Sequence, residues 1–358
     1  MTEPKKPYAG IPIMDREPDH IREALKGQPD EVVEQALRLH EYARKNHLGL
    51  SRLAQQSRIQ SGLLSQWFNG AYPGDSSAIA ERVRAFFWRL EQQEKYGGLR
   101  GFVETQLAQS LWAIFEKTRI IRRIQVVQSP EQLGKSRAAL EYQDRNNTGR
   151  TVYVEVPGAA KGCGDFIWAL ADQLDIPYSA KLHEKRIRIK NALESCDLVI
   201  IDQAHLPFSW PVGGTRDFLD YLITDLFANG ARGIVLIATN SDLFEDIRAF
   251  RQRGRYNVGQ LLGRMRNEPV TIDPAEDILA EDVHALAERY YKPGAETLRL
   301  LHDLATRDQM GHFGLLLDIL NEAWTTAKAR KRPLSDEIVR ATAQRILDGM
   351  KKHESLYR

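Results

Sequence analysis

Three short stretches of the chain carry side chains suited to handling a polyphosphate. The first is VVQSPEQLGKS, residues 126–136, where an apolar run passes through a loop into Gly134-Lys135-Ser136 and a helix-like stretch. A phosphate-binding loop needs such an order: backbone N–H groups and a helix N-terminus face the anion. Its lysine reaches the β- and γ-phosphates and its hydroxyl holds Mg²⁺. The usual pattern has Gly where Ser129 stands, so a strand–turn–helix with an incidental Gly-Lys-Ser is the competing reading. The second stretch, DLVIIDQAH (197–205), ends an apolar run in Asp202. A carboxylate there lies at the C-terminal edge of a buried strand, where open α/β sheets bind ligands, and suits the Mg²⁺ side of a nucleotide site. The third, IVLIATN (234–240), ends in the polar Asn240. Three strand ends in this order favour one ATP site, with Ser129, Gly134, Lys135, Ser136 and Asp202 around the nucleotide and Ser136 and Asp202 as Mg²⁺ ligands.

The elements that must position these residues follow from hydrophobic patterning. IQVVQ (124–128), TVYVEV (151–156), DLVIID (197–202) and GIVLIAT (233–239) alternate with helical stretches. Such alternation predicts a parallel sheet covered by helices, and uninterrupted apolar strands predict burial on both faces. From about residue 276 only helical periodicity remains. EKYGGLRG (94–101) reads as a linker and residues 1–30 as a loose arm. The expected domains are therefore an arm (1–30), a helical module (31–98), an α/β core (99–275) and a C-terminal helical lid (276–358).

Within the helical module, LSRLAQQSRIQSGLLSQWFNGAY (50–72) reads as a helix-turn-helix. Leu53, Ala54, Ile59, Leu64, Trp67 and Phe68 are the expected core. Gln60, Ser61, Leu63 and Gln66 are left at the start of the second helix, where Gln and Ser suit base edges and an apolar side chain meets a thymine methyl. Arg52 and Arg58 are candidates for phosphates. A plain helical bundle used for protein contacts is the alternative, and Arg58 stands where such turns usually have Gly.

The bulk numbers are compatible with these readings and choose little among them. The 358 residues are 42% hydrophobic and 27% charged, with a net charge of +2, which neither demands nor excludes nucleic acid. Two cysteines form no metal or disulfide pattern and fit a reducing compartment. No apolar stretch nears the ~20 residues of a membrane span, and MTEPKKPYAG has no signal-peptide core. The expected location is the cytoplasm. No catalytic triad or metal cluster suited to DNA strand transfer is visible.

The strand-end motifs resemble an AAA+ ATPase core over roughly residues 105–350: Walker A, Walker B, sensor-1 Asn240, then a helical lid. LLSQWFNGAYPGD (63–75), the amphipathic helix after it, and FVETQLAQSLWAIF (102–115) resemble the Mu B-type transposition ATPases, related to the TnsC and IstB types. The resemblance implies an AAA+ P-loop parallel sheet with a helical lid, plus an N-terminal all-α helix-turn-helix domain. It implies ATP and Mg²⁺ as cofactors, assembly as a helical filament or ring on double-stranded DNA, and a partner transposase. By the same resemblance Arg264 stands where an arginine finger is often presented, and Gln203 replaces the Glu that usually positions the attacking water. A neutral amide orients water but does not take its proton, so hydrolysis is slow, another group helps, or the residue is an engineered trap. GHFGLLL (311–317) lacks the sensor-2 arginine. DNA phosphates are expected at Lys161, in the Gly-rich loop after the second strand, and at Lys185, Arg186, Arg188 and Lys190 in KLHEKRIRIKNAL (181–193). The function implied is an ATP-dependent transposition regulator. A nucleotide-gated transcription regulator, or a signalling or defence ATPase without a DNA role, are the rivals.

Overall fold

The computed structural model describes residues 13–356 except 47, 58, 97–100, 146–149, 175, 177–179, 240–242, 253–258, 266–267 and 308–310. The chain divides into two compact units, Met1–Tyr96 and Gly97–Arg358.

The first unit is helical: α1 (Pro18–Ala24), α2 (Asp30–Lys45), α3 (Leu50–Ser57), α4 (Ser61–Phe68) and α5 (Ser76–Tyr96). Its core contains Leu39, Leu53, Ile59, Leu64, Trp67 and Phe68, each at most 1% exposed. These include all but Ala54 of the turn and helix residues expected inside, and Ala54 is buried too. The segment read as a loose arm is different in its second half. Ile21 and Leu25 are buried in this core, Arg16 donates to the Asn69 side chain at 2.8 Å, and the Ile13 carbonyl meets His40 Nε2 at 3.0 Å. The polar, Pro-rich composition hid two apolar side chains, four residues apart, on one helical face.

The second unit is built on a five-stranded sheet of β1 (Ile124–Gln128), β2 (Thr151–Glu155), β3 (Leu198–Asp202), β4 (Gly233–Ala238) and β5 (Val270–Thr271). The order across the sheet is β2-β3-β4-β1-β5, and every pairing is parallel. This is the parallel α/β sheet that the alternation of strands and helices predicts. β1, β3 and β4 are buried at every position, which is why they read as unbroken apolar runs. Pleating sends alternate residues to opposite cores. Val126, Val154, Val199, Ile201 and Leu236 face one cluster, while Val127, Tyr153, Leu198, Ile200 and Ile237 face the other.

The first cluster is closed by helices that include α8 (Cys163–Gln173), α9 (Leu182–Ala192) and α10 (Val212–Tyr221), together with α11 (Leu243–Gln252) and α12 (Gly259–Met265). The second is closed by α6 (Gln106–Ile121), α7 (Lys135–Arg145) and the C-terminal helices α13 (Pro274–Asp277), α14 (Ala280–Glu288), α15 (Ala295–Thr306), α16 (His312–Ala329) and α17 (Asp336–Leu356). The C-terminal helices therefore share a hydrophobic core with the sheet. Asp282 of α14 reinforces the join by accepting from the backbone N–H groups of Gln106 (2.5 Å) and Leu107 (3.3 Å), two donors that the start of α6 leaves without helical partners. β5, only two residues long, carries no periodic signal and was not anticipated.

Candidate functional site

β1 delivers the chain into the loop 129–134, and α7 starts at Lys135. Ser129 is fully buried; its N–H donates to the Ala238 carbonyl at 3.4 Å and its hydroxyl to the Pro130 carbonyl at 3.0 Å. The left-handed positions in the loop are Gln132 (φ 60°) and Gly134 (φ 79°), not Ser129. A side chain at 129 is therefore accommodated without backbone strain. At Gly134 it is the backbone angle that favours glycine, since an added Cβ would meet open space. Lys135 is 4% exposed, and its Nζ donates to the Pro130 carbonyl at 2.6 Å. Burial lowers its pKa to about 8, against the opposing pull of Asp202 and Glu131.

β3 brings Asp202 to the same edge, 1% exposed. One carboxylate oxygen accepts from the Tyr153 hydroxyl at 2.8 Å, the other from the Gln203 N–H at 2.7 Å. Burial, followed by the charge of Asp202, raises the Tyr153 pKa. Ser136 and Asp202 are the two candidate metal ligands. An alcohol and a single carboxylate, all oxygen, fit Mg²⁺, which keeps several waters and takes the rest of its shell from substrate phosphates. Among the described residues no group of three or more His, Cys, Asp and Glu could hold a metal, so any ion here leans on that small donor set.

Gln203 is half-buried and left-handed (φ 56°), so it leaves the strand's alternation. His205 follows, its Nε2 3.2 Å from the Thr239 hydroxyl. Burial holds the His205 pKa below its ordinary value, with Asp202, Glu131 and Lys135 among the charges it feels. Glu155, at the end of β2, pairs in register with Asp202 and is exposed; burial of its surroundings and then Asp202 raise its pKa. Beside the loop lies a cavity of about 280 Å³, lined by Phe102, Leu133, Gly134, Arg137, Tyr290 and Phe313 among others. Tyr153, Glu155, His205 and this cavity were missed by sequence reasoning. Only the alternation of 153 and 155 in TVYVE hinted that they share a face.

Of the remaining candidates, Asn240 and Arg58 lie outside the described residues. Arg264 is half-buried on α12, its guanidinium 5.6 Å from the centre of the Phe227 ring. Gln60 and Gln66 are exposed, Arg52 and Ser61 half-buried. Leu63 is half-buried and packs against the helical core, so part of its surface is already used. Lys161 is exposed in the loop after β2. On α9, Arg186 pairs with Asp225 (2.6 Å), Arg188 with Glu184 (2.5 Å), and Lys190 is exposed. Lys185 departs from expectation. It has no exposed surface, and its ammonium lies 3.8 Å from the centre of the Trp168 ring. It falls one turn before the buried Ile189, on the face of α9 that packs on α8, so it is not presented to a solvent-side phosphate.

At the position of the missing sensor-2 arginine, Gly311, just before α16, and Gly314, in its first turn, face the loop. A Cβ at either would collide with the Gln132 side chain, and the Gly314 N–H donates to the Gln132 carbonyl at 3.3 Å. Small residues here let the helix rest directly on the loop.

No family model matches the chain. Over 96 residues it is 26% identical to the ATP-dependent target DNA activator B of Escherichia phage Mu, and equally to that of Escherichia phage D108. The match covers 27% of this chain and 31% of each relative, so it spans less than a third of their length. Among solved structures, NtrX from Brucella abortus with ADP aligns with a TM-score of 0.42 at 15% identity, covering 81% of this chain and 72% of that one. NtrX with ATP aligns with a TM-score of 0.39 at 16% identity, covering 81% and 69%. Among the described residues no helix is long and apolar enough to cross a membrane.

Proposed function

We propose that the protein is an ATP-dependent, DNA-binding transposition regulator that assembles on target DNA and recruits or activates a partner transposase. The observation that carries the nucleotide half is the convergence of loop 129–134, Lys135, Ser136 and Asp202 on the C-terminal edge of one parallel sheet, where such sheets bind ligands. The likeness to the phage activators supports the DNA half.

In this reading the cavity beside Gly134 receives the base. The loop N–H groups and the start of α7 receive the phosphates, and Lys135 exchanges its Pro130 partner for phosphate oxygen. Ser136 and Asp202 hold Mg²⁺, which supplies neutralising charge when bound. Gln203 and Asn240 orient the attacking water, and Arg264 is offered to the site of a neighbouring copy, which makes hydrolysis depend on assembly into a filament or ring. Gln60, Ser61 and Gln66 face base edges. Arg52, Arg58, Lys161, Arg186, Arg188 and Lys190 serve phosphates, the α9 arginines by giving up their present acidic partners. Binding of that kind weakens steeply with salt.

The test is Lys135→Ala in the full chain, measured by fluorescent-nucleotide titration and by electron microscopy of duplex DNA with ATP. The expected result is joint loss of nucleotide binding and of ATP-dependent assembly on DNA. Near-native ATP affinity in the variant rejects the nucleotide site. Normal ATP binding by the unmodified protein without any assembly on duplex rejects the transposition reading in favour of a switch or signalling ATPase.

A further inference from the structure

In the nucleotide site as read above, position 203, where a carboxylate would take the proton of the attacking water, holds an amide. We propose that Glu155, at the end of the neighbouring strand β2, is the catalytic carboxylate that takes the proton of the attacking water, with Gln203 only orienting that water. The proposal rests on the ATP-site reading and adds the residue that completes it.

Register supplies the first support. Glu155 is the direct partner of Asp202, and neighbouring strands lie about 4.8 Å apart. The ladder continues past this point, since the Val156 N–H donates to the Asp202 carbonyl at 3.0 Å. Glu155 is therefore held at the sheet edge by backbone bonds on both sides of the pair.

The pleat supplies the second. Val154 and Val156 pack in the core on one side of the sheet, and Tyr153 in the core on the other, beneath α6 and α7. Glu155, two residues after Tyr153, shares its face. Tyr153 already donates to Asp202. Glu155 stands one side-chain step, about 6.6 Å, further along the same face, level with Asp202 at the sheet edge.

Commitment of the neighbouring groups supplies the third. Both oxygens of Asp202 are engaged, by Tyr153 and by the Gln203 N–H. Glu155 is exposed and, among the described residues, makes no hydrogen bond or ion pair. A carboxylate left unpaired beside another carboxylate has no stabilising role, since like charges on adjacent strands destabilise the pairing. Glu131 is the other acid near Lys135, but it belongs to the loop that wraps the phosphates rather than to the strand edge facing them.

The chemistry balances without a further reagent. Water oxygen bonds to the γ-phosphorus as the bond from that phosphorus to the β,γ-bridging oxygen breaks, and the bond's electron pair leaves on ADP. The water proton passes to a Glu155 carboxylate oxygen and then to solvent when phosphate departs.

The experiment compares the full-length protein with Glu155→Gln, Gln203→Glu, the double variant and Glu131→Gln, each with Mg²⁺, ATP and saturating duplex. Phosphate release gives the rate, a fluorescent ATP analogue gives affinity, and rapid desalting gives the nucleotide retained. Glu155→Gln is expected to slow hydrolysis by about 100-fold or more, the usual scale for a positioned acid–base group. It should bind the analogue normally and retain ATP rather than ADP. Adding Gln203→Glu should restore much of the rate, which a misfolded protein would not allow. Glu155→Gln hydrolysing at close to the unmodified rate overturns the proposal, as does parallel loss of ATP affinity. A comparable defect in Glu131→Gln alone transfers the role to that residue. An unmodified protein that binds ATP but releases no phosphate overturns the Glu155 assignment alone, whereas one that binds no ATP overturns the site itself.

Discussion

Tyr153→Phe removes one oxygen from the centre of the nucleotide site and leaves the ring's packing in place. Tyr153 is 5% exposed and Asp202 1% exposed, so bulk water has no path to replace the lost donor. A hydrogen bond to a charged partner contributes about 1.5–3 kcal/mol net. Asp202 keeps the Gln203 N–H on its other oxygen, which places the expected loss near the lower end, about 1.5–2 kcal/mol. For a domain of this size that is a fall in melting temperature of roughly 3–8 °C. A second effect is separable from the first. Asp202 is a proposed Mg²⁺ ligand that the phenol orients, and losing the partner that orients a metal ligand typically costs about 10–100-fold in metal affinity. Thermal denaturation reads the stability loss. Titration with a fluorescent ATP analogue, in Mg²⁺ and again in excess EDTA, reads the site. Affinity should drop in Mg²⁺ and stay level in EDTA. An unchanged melting temperature together with unchanged Mg²⁺ dependence would refute the claim that this hydroxyl organises Asp202.

Three further outcomes are expected. Arg264→Ala should leave nucleotide binding in dilute protein largely intact while weakening assembly and assembly-dependent hydrolysis; equal loss of binding in dilute protein would mark a structural role over Phe227. Gly233→Ala should destabilise the α/β unit, because a Cβ there collides with the Thr118 carbonyl at the end of α6 and overpacking of this kind costs about 1–3 kcal/mol; a melting temperature equal to that of the unmodified protein would contradict the packing. Burial pushes the thiols of Cys163 and Cys196 up to about 12 and about 11, so thiolate is scarce at pH 8 and a disulfide reagent should label both only after denaturation; rapid labelling of the folded protein would show that these thiols are accessible.

The sequence by itself determined what local pattern can encode. Strands β1, β3 and β4 were legible because burial on both faces demands an unbroken apolar run, and Asp202 was legible because a carboxylate closing such a run marks the strand's end. The loop from Ser129 to Ser136 was legible because glycine, lysine and hydroxyl stand in the order a phosphate requires. The buried positions of α3 and α4 followed from helical spacing. Tertiary structure decided the rest, because it concerns partners distant in the chain. Pairing between β2 and β3 sets Glu155 against Asp202 and brings the Tyr153 hydroxyl to Asp202; nothing within TVYVE specifies that register. The choice of which face of α9 packs on α8 turned Lys185 from a presumed surface cation into a covered one beneath Trp168. Docking of residues 13–25 on α2 and α4 made part of an apparent arm into core, and two residues of β5 became a strand only because β1 offered an edge. Periodicity reports which side of an element is apolar, but register and packing partner are fixed only when distant segments compete to bury that side.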